Sequence, residues 1–306
     1  MTEFHAAVAS PATHVLAEGP VWIAETSTVL WVDVELGIVH EGRLDGDAIR
    51  PTRQLEFAGR VGAAVPGDDG GLLVAAHDRL VYVTAGGDRL EGPLIVAAGV
   101  DGRTNDGACD PDGRFIVGTL ALDERAGGER LLRLEHDGSL TTLDADLDLS
   151  NGIAWSPDGT SMYSTDTIPG IIWVRDYDVA SGRVGARRRH LGFDGEFPDG
   201  ICVDARGHLW VAMWGAGEVR SFTPDGTRAD TVRVPAPHVS SVAFVGDRLE
   251  RLVITTASRD LSADERRRFP DAGRLFLADV QARGIPTTPW ATSALAGFTA
   301  ADEARG

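Results

Sequence analysis

Two cysteines, Cys109 and Cys202, are all that the 306 residues contain, and they lie far apart. A secreted scaffold stapled by disulfides needs more, so both thiols are expected reduced, packed as small hydrophobes in a cytoplasmic protein. Positive charge is also in short supply, with 29 basic residues against 46 acidic ones and a formal net charge of −17. Such a field repels phosphate backbones and anionic membranes, which excludes nucleic acid and membrane surfaces as partners and leaves neutral ligands and cations. No apolar run approaches the roughly 20 residues of a membrane span. The opening Met1-Thr2-Glu3-Phe4-His5 lacks the basic region and apolar core of a secretory leader. Helical periodicity is nearly absent too; the best candidate is the charged surface turn Ser262 to Arg268.

What remains is a chain that is 43% apolar and 25% charged, with 37 glycines. That composition describes a globular protein with a sizeable core and many tight turns. Length alone would allow two domains, but all-β units of this size are commonly single, and one domain over residues 1–306 is expected. Apolar segments are short, rich in Val, Ile, Leu and Trp, and bounded by Asp-Gly or Pro-Asp-Gly, which is strand punctuation. One phrase returns six times: Val-Leu-Trp-Val-Asp at 29–33, Gly-Leu-Leu-Val-Ala at 71–75, Arg-Phe-Ile-Val-Gly at 114–118, Ser-Met-Tyr-Ser-Thr at 161–165, His-Leu-Trp-Val-Ala at 208–212 and Arg-Leu-Val-Ile-Thr at 251–255. Its central residues, Trp31, Leu73, Ile116, Tyr163, Trp210 and Val253, are spaced 42, 43, 47, 47 and 43 apart. A period near 45 with several strands per unit is the mark of propeller blades. The repeated Gly-His and Trp-Asp pairs of WD40 proteins are missing. The sequence therefore predicts an all-β, six-bladed propeller with four antiparallel strands per blade. Residues Ala6 to Leu16 are expected to join the blade formed by Arg274 to Ala278, closing the ring.

Residues just before each innermost strand share one mouth of the central channel. Four units carry a carboxylate or amide followed by glycine there: Glu18-Gly19, Asp106-Gly107, Asn151-Gly152 and Asp199-Gly200. They precede the anchors Trp31, Ile116, Tyr163 and Trp210 by 13, 10, 12 and 11 residues. Ring symmetry would turn these distant residues into neighbours about one axis. Any one such pair is more often a plain turn, but recurrence in register, including a Glu that is no turn former, favours a site. Converging oxygens without Cys or His suit a hard divalent cation such as Ca²⁺, Mg²⁺ or Mn²⁺.

These segments resemble the SMP-30/gluconolactonase family, which includes regucalcin and bacterial sugar-acid lactonases. The likeness is carried by Glu18-Gly19-Pro20-Val21-Trp22, Arg103-Thr104-Asn105-Asp106-Gly107 with Asp110-Pro111-Asp112-Gly113-Arg114, Ser150-Asn151-Gly152-Ile153-Ala154-Trp155-Ser156-Pro157-Asp158, Pro198-Asp199-Gly200-Ile201 and Phe269-Pro270-Asp271-Ala272-Gly273-Arg274-Leu275-Phe276. The resemblance places Glu18, Asn151 and Asp199 on the family's metal ligands, Asp199 also on its general base, and Arg103 and Asn105 on its substrate contacts. Asp106 is open between a carboxylate behind the ligands and one facing the bound molecule. Where the family has Gly-Thr-Met followed by acidic residues, this chain has Gly118-Thr119-Leu120-Ala121-Leu122, so a polar contact to the sugar is expected to be lost.

The resemblance implies a divalent-metal-dependent lactonase that opens sugar (aldono-) lactones such as gluconolactone, with Ca²⁺ as the leading cation and Zn²⁺, Mg²⁺ or Mn²⁺ as alternatives. Two other classes compete: a metal-dependent hydrolase of other esters or phosphotriesters, and a non-catalytic calcium-binding propeller. Nucleophilic catalysis is weakly supported, because Ser240-Ser241 has no Gly-x-Ser-x-Gly elbow around it. His77 and His238 receive no role, and Arg187-Arg188-Arg189-His190 reads as a solvated edge strand.

Overall fold

The computed structural model describes residues 1–123 and 126–300. Its strands form six sheets of four or five strands each, in which consecutive strands pair antiparallel and short strands from the chain's two ends are added at the outer edges. The first strands of the sheets are Ala17–Ile23, Val61–Pro66, Gly102–Cys109, Ser150–Trp155, Phe197–Val203 and Val239–Val245. Each contacts the first strand of the next sheet, and that of the sixth contacts that of the first, so the sheets stand as blades around one axis. The six-bladed propeller is therefore the observed architecture.

The repeated phrase forms the second strand of each blade, which is buried on both faces between its neighbours. Trp31, Leu73, Ile116, Trp210 and Val253 are essentially inaccessible, and Tyr163 is nearly so. Burying each such side chain stabilises the fold by about 1.5–3 kcal/mol. Turns at the far ends of these strands are built from their own residues. In blade three the wholly buried Asp110 carboxylate accepts from the backbone N–H of Asp112 (2.9 Å) and Arg114 (2.8 Å), and Gly113 completes the turn at φ +85°. Only glycine adopts that angle without steric cost.

Both ends of the chain lock the ring. Ala7–Val8 pairs with Phe276–Asp279 as the outer strand of blade six, as expected from the sequence. Two further additions were not expected. Glu3–His5 runs parallel to Arg228–Arg233 as a fifth strand of blade five, and Thr299–Ala300 pairs with Arg89–Leu94 in blade two. Residues 283–291 run beneath the turns that join first and second strands, bonding Ala205, Leu249, Pro66 and Gly113 in four different blades. Ser262 to Arg268 becomes the short helix Ala263–Arg268, whose capping box has Ser262 Oγ accepting from Glu265 N while the Glu265 carboxylate accepts from Ser262 N.

All 29 basic residues are arginine; the chain has no lysine. Every Lys-type pairing is thus replaced by a guanidinium–carboxylate pair, and the largely buried Arg220 forks onto both oxygens of Glu196 at 2.6 and 2.8 Å. Arg188 to His190 does lie in an outer strand, Arg188–Gly192, as read from the sequence. Arg187 beside it pairs with Asp144 and lies over the Trp173 ring. Among the described residues no helix is long and apolar enough to cross a membrane.

Candidate functional site

In every blade the pairing of the first two strands slips at the upper mouth. The interruption falls between Glu18 and Val21, Val61 and Ala63, Thr104 and Gly107, Ser150 and Ile153, Pro198 and Ile201, and Val239 and Ser241. A bulge leaves residues outside the ladder and re-aims their side chains. The bulged pairs of blades three, four and five are Asn105-Asp106, Asn151-Gly152 and Asp199-Gly200. This corrects the sequence register by one residue: Asn105, not Asp106, is the counterpart of Asn151 and Asp199. Glycine explains why the bulges fit. A Cβ on Gly152 would meet Ile201 N at 2.5 Å and Asp199 O at 2.7 Å, so neighbouring inner strands approach backbone to backbone here.

Asn105, Asn151 and Asp199 from the bulges meet Glu18 and Arg103, which stay in the ladder opposite Val32 and Leu120, at one cavity of about 340 Å³. A chain of hydrogen bonds orients their amides. Arg103 Nη1 donates to Asn105 Oδ1 (2.6 Å) and Thr104 O (2.9 Å). Asn105 Nδ2 donates to Asn151 Oδ1 (3.0 Å) and Ser150 O (2.7 Å). Asn151 Nδ2 donates to Thr167 Oγ1 (3.0 Å), which donates in turn to Pro198 O (2.8 Å). Because the Thr167 hydroxyl spends its proton on Pro198, it can only accept from Asn151, and this fixes which end of the amide faces Asn105. The Asn105 amide is thus largely committed within the network, which leaves Arg103 as the freer of the two expected substrate contacts.

Two polar atoms in the cavity wall are buried without partners: Asp199 Oδ1, an acceptor, and Arg103 Nε, a donor. Asp199 is only 4% exposed. Its carboxyl is pushed well above the ordinary carboxylate range, first by burial and then by the charge of Asp106, with Arg103 opposing. Glu18 is raised likewise by burial, Asp199 and Asp106. Burial alone brings Asp106 to about 6, even though its Oδ1 accepts from Gly107 N (2.8 Å). The Arg103 guanidinium is lowered to about 10, mainly by burial. Three carboxylates that resist ionising together, one with an empty acceptor, form an environment that a cation would relieve. Among the described residues no three His, Cys, Asp or Glu are grouped as a metal alone would require. The cavity residues that could hold a cation are Glu18, Asp199 and the Asn151 amide.

The other residues weighed from sequence are structural. Ser240 Oγ donates to Ala17 O (2.6 Å) deep in the core. Cys109 and Cys202 are free thiols on inner strands, and burial raises both. The backbone carbonyl of His77 accepts from Thr104 N (2.8 Å).

A family model for the SMP-30/Gluconolactonase/LRE-like region matches residues 16–258. The chain belongs to this family. Pentonolactonase XacC of Haloferax volcanii is 36% identical over 278 residues, covering 89% of this chain and 93% of that one. L-arabinolactonase of Azospirillum brasilense is 33% identical over 292 residues, covering 91% and 93%. A solved calcium-binding regucalcin of Agrobacterium tumefaciens superposes with a TM-score of 0.86 at 26% identity, covering 94% of this chain and 98% of that one.

In this SMP-30/gluconolactonase member the cavity has a second tier, of which sequence reasoning singled out Leu120 and missed Thr167 and Trp214. Leu120, Thr167 and Trp214 each stand four residues beyond an anchor, at the same 47-residue step as Ile116, Tyr163 and Trp210. Leu120 and Trp214 pair across the ladder with Arg103 and Phe197. Following the repeat to the ends of the second strands would have found all three. Arg259 and Asp260 also line the cavity from the segment between Arg251–Thr256 and Phe276–Asp279. That segment is far longer than the matching connections of the other blades, so no periodic signal leads to its residues.

Proposed function

We propose that this chain hydrolyses sugar (aldono-) lactones with the aid of one divalent cation held by Glu18, Asn151 and Asp199. The observation that carries the reading is the pair of buried, unpartnered groups in one cavity, Asp199 Oδ1 and Arg103 Nε. A proton acceptor and a charged donor stand where an ester and a water would be held between them. Relatives named pentonolactonase and L-arabinolactonase support the same substrate class. The all-oxygen donor set favours Ca²⁺, with Mg²⁺, Mn²⁺ and Zn²⁺ as alternatives.

When bound, the cation would polarise the ester carbonyl and steady the negative charge that develops on its oxygen. Asp199 takes the proton of the attacking water as the new C–O bond forms. A carboxylate within hydrogen-bond reach of that water is a competent base, and Asp199 Oδ1 has no other partner among the described residues. When the bond from the carbonyl carbon to the ring oxygen breaks, the same proton passes to that oxygen, leaving the open hydroxy acid. Arg103 orients the lactone through its spare N–H groups, since Nη1 is already tied to Asn105 and Thr104.

The test is a panel of aldonolactones, aryl esters and a phosphotriester, read with a pH indicator across several added metals, with and without chelator. Turnover of aldonolactones that chelation abolishes, with the far-UV spectrum unchanged, is expected. Preference for aryl or phosphate esters would move the chain to another hydrolase class. Cation binding without any turnover would leave a calcium-binding propeller.

A further inference from the structure

Resting on the lactonase reading, we propose that Asp260 is the specificity-determining residue that reads the hydroxyls of the sugar. The cavity needs such a reader. Glu18, Asn151 and Asp199 are committed to the cation and Arg103 to the ester, while Leu16, Leu120, Leu149, Ile168, Phe197 and Trp214 supply an apolar wall. Leu120 stands where the family pattern has Met, and Ala121-Leu122 replace the acidic residues that follow it. Arg259 and Asp260 are the remaining charged residues on the lining, and they approach from the long connection of blade six.

Their placement is built. Arg259 N donates to Val15 O (3.1 Å), and its carbonyl faces His238 Nδ1 (3.2 Å). The His238 ring lies flat on Trp214, with centroids 4.3 Å apart and planes 4° off parallel. Arg259 Nη1 donates to Glu35 Oε1 (2.8 Å), whose other oxygen accepts from Arg60 Nε (2.8 Å). Arg259 Nε donates to Asp260 Oδ2 (2.8 Å). The Arg259 backbone is thus held at both its N–H and its carbonyl, and the guanidinium, tied to Glu35, holds one oxygen of a carboxylate that is otherwise 65% exposed at the mouth. Asp260 itself has φ +58°, in the left-handed region that non-glycine residues seldom occupy. Ser27 and Leu249 share that region among the described non-glycine residues, but neither lines this cavity.

Sugar recognition needs what stands here: an aromatic wall for the C–H face of the ring and a carboxylate that accepts from adjacent hydroxyls. A lactone without hydroxyls has nothing to offer Asp260, and the site then gains nothing from it. Discrimination should lie between hydroxylated and bare lactones of the same ring size.

The experiment compares gluconolactone with δ-valerolactone for the wild type, Asp260→Asn and Asp260→Gly. Asparagine tolerates the left-handed backbone and removes only the charge; glycine is at ease there and removes the whole side chain. Both variants are expected to lose about tenfold or more in kcat/KM on gluconolactone, chiefly through KM, with δ-valerolactone changed by less than about twofold. Asp260→Gly should keep the thermal midpoint of the wild type or exceed it, because the surface ion pair contributes little and the backbone is relieved. Equal losses on both lactones, or no loss on either, would overturn the assignment. A parallel fall in thermal midpoint and activity would mark Asp260 as merely structural. Wild-type protein inactive on every sugar lactone would remove the lactonase reading and this one together, whereas an active wild type with an unchanged Asp260→Asn preference removes this one alone.

Discussion

Asp199 is assigned two duties, cation ligation and proton acceptance, and the two can be separated by comparing it with Glu18. Asp199→Asn keeps the shape and one ligand oxygen but loses the basicity. At saturating cation its turnover is expected to stay down by roughly 10²–10⁴-fold, the usual cost of losing a general base. Glu18→Gln removes the same charge from the same cation, yet should recover most activity when cation is added. Equal rescue of both would take proton acceptance away from Asp199. Thr167 offers a different kind of test, because its hydroxyl is spent on holding Asn151 and the Pro198 carbonyl. Thr167→Val leaves Asn151 Nδ2 without an acceptor and Pro198 O without its donor, with no change of shape. Activity should fall about tenfold at an unchanged far-UV spectrum, and Thr167→Ser should restore it; failure of serine to do so would show that the methyl group, not the hydroxyl, matters.

At the level of strands, the bulges decide where the site forms. The six-fold phrase could be read because each second strand is buried on both faces and so has a continuous apolar run. The bulge could not be read, because slipping one residue leaves composition unchanged. Hence Asp106, followed by a glycine like Asn151 and Asp199, took the place that belongs to Asn105. Glu3–His5 and Thr299–Ala300 were illegible for another reason: strands of two or three residues carry no periodicity. Arg259 and Asp260 lay beyond reach because a connection far longer than those of the other blades gives its residues no repeated partner. The bulge account makes its own prediction. Gly152→Ala places a methyl against Ile201 N and Asp199 O, and the inner strands of blades four and five must part. Activity should fall further than stability does, since Asp199 is the residue displaced. A variant with a lowered thermal midpoint but full turnover would show that Asp199 tolerates the shift.

The whole ring depends on the seam where the chain ends meet, and that seam contains two buried imidazoles. His14 Nδ1 lies 2.9 Å from Gly273 O and its Nε2 accepts from Trp31 Nε1 (3.0 Å), so its ring is neutral with the proton on Nδ1. His40 stacks on Trp31, with centroids 5.2 Å apart, and meets His14 edge-on. Burial lowers both; His40 falls to about 4, with His14 adding to the effect and Asp33 opposing. An imidazole whose folded value is depressed binds protons more readily when unfolded. Its stabilising contribution is therefore complete above about pH 6.5 and is lost as pH falls toward 4. For His40 alone the loss is on the order of 3 kcal/mol. Urea midpoints measured across that window should decline for the wild type and decline less for His40→Gln, a difference that isolates the imidazole from other titrating groups. Identical slopes would place the acid sensitivity elsewhere.

The all-arginine surface has a consequence of a different order. Lactones are mild acylating agents toward amines, and a lysine meeting a concentrated sugar lactone is slowly converted to an uncharged amide. This chain has no lysine, and guanidinium groups stay protonated and unreactive at neutral pH. An enzyme that concentrates lactones around itself would therefore have no side-chain amine for its own substrate to modify. After prolonged incubation with gluconolactone the intact mass should show no adduct beyond one on the terminal amine, whereas variants in which surface arginines such as Arg183 and Arg248 become lysine should accumulate one adduct for each replacement. Unmodified lysine variants would mean that the absence of lysine gives no protection.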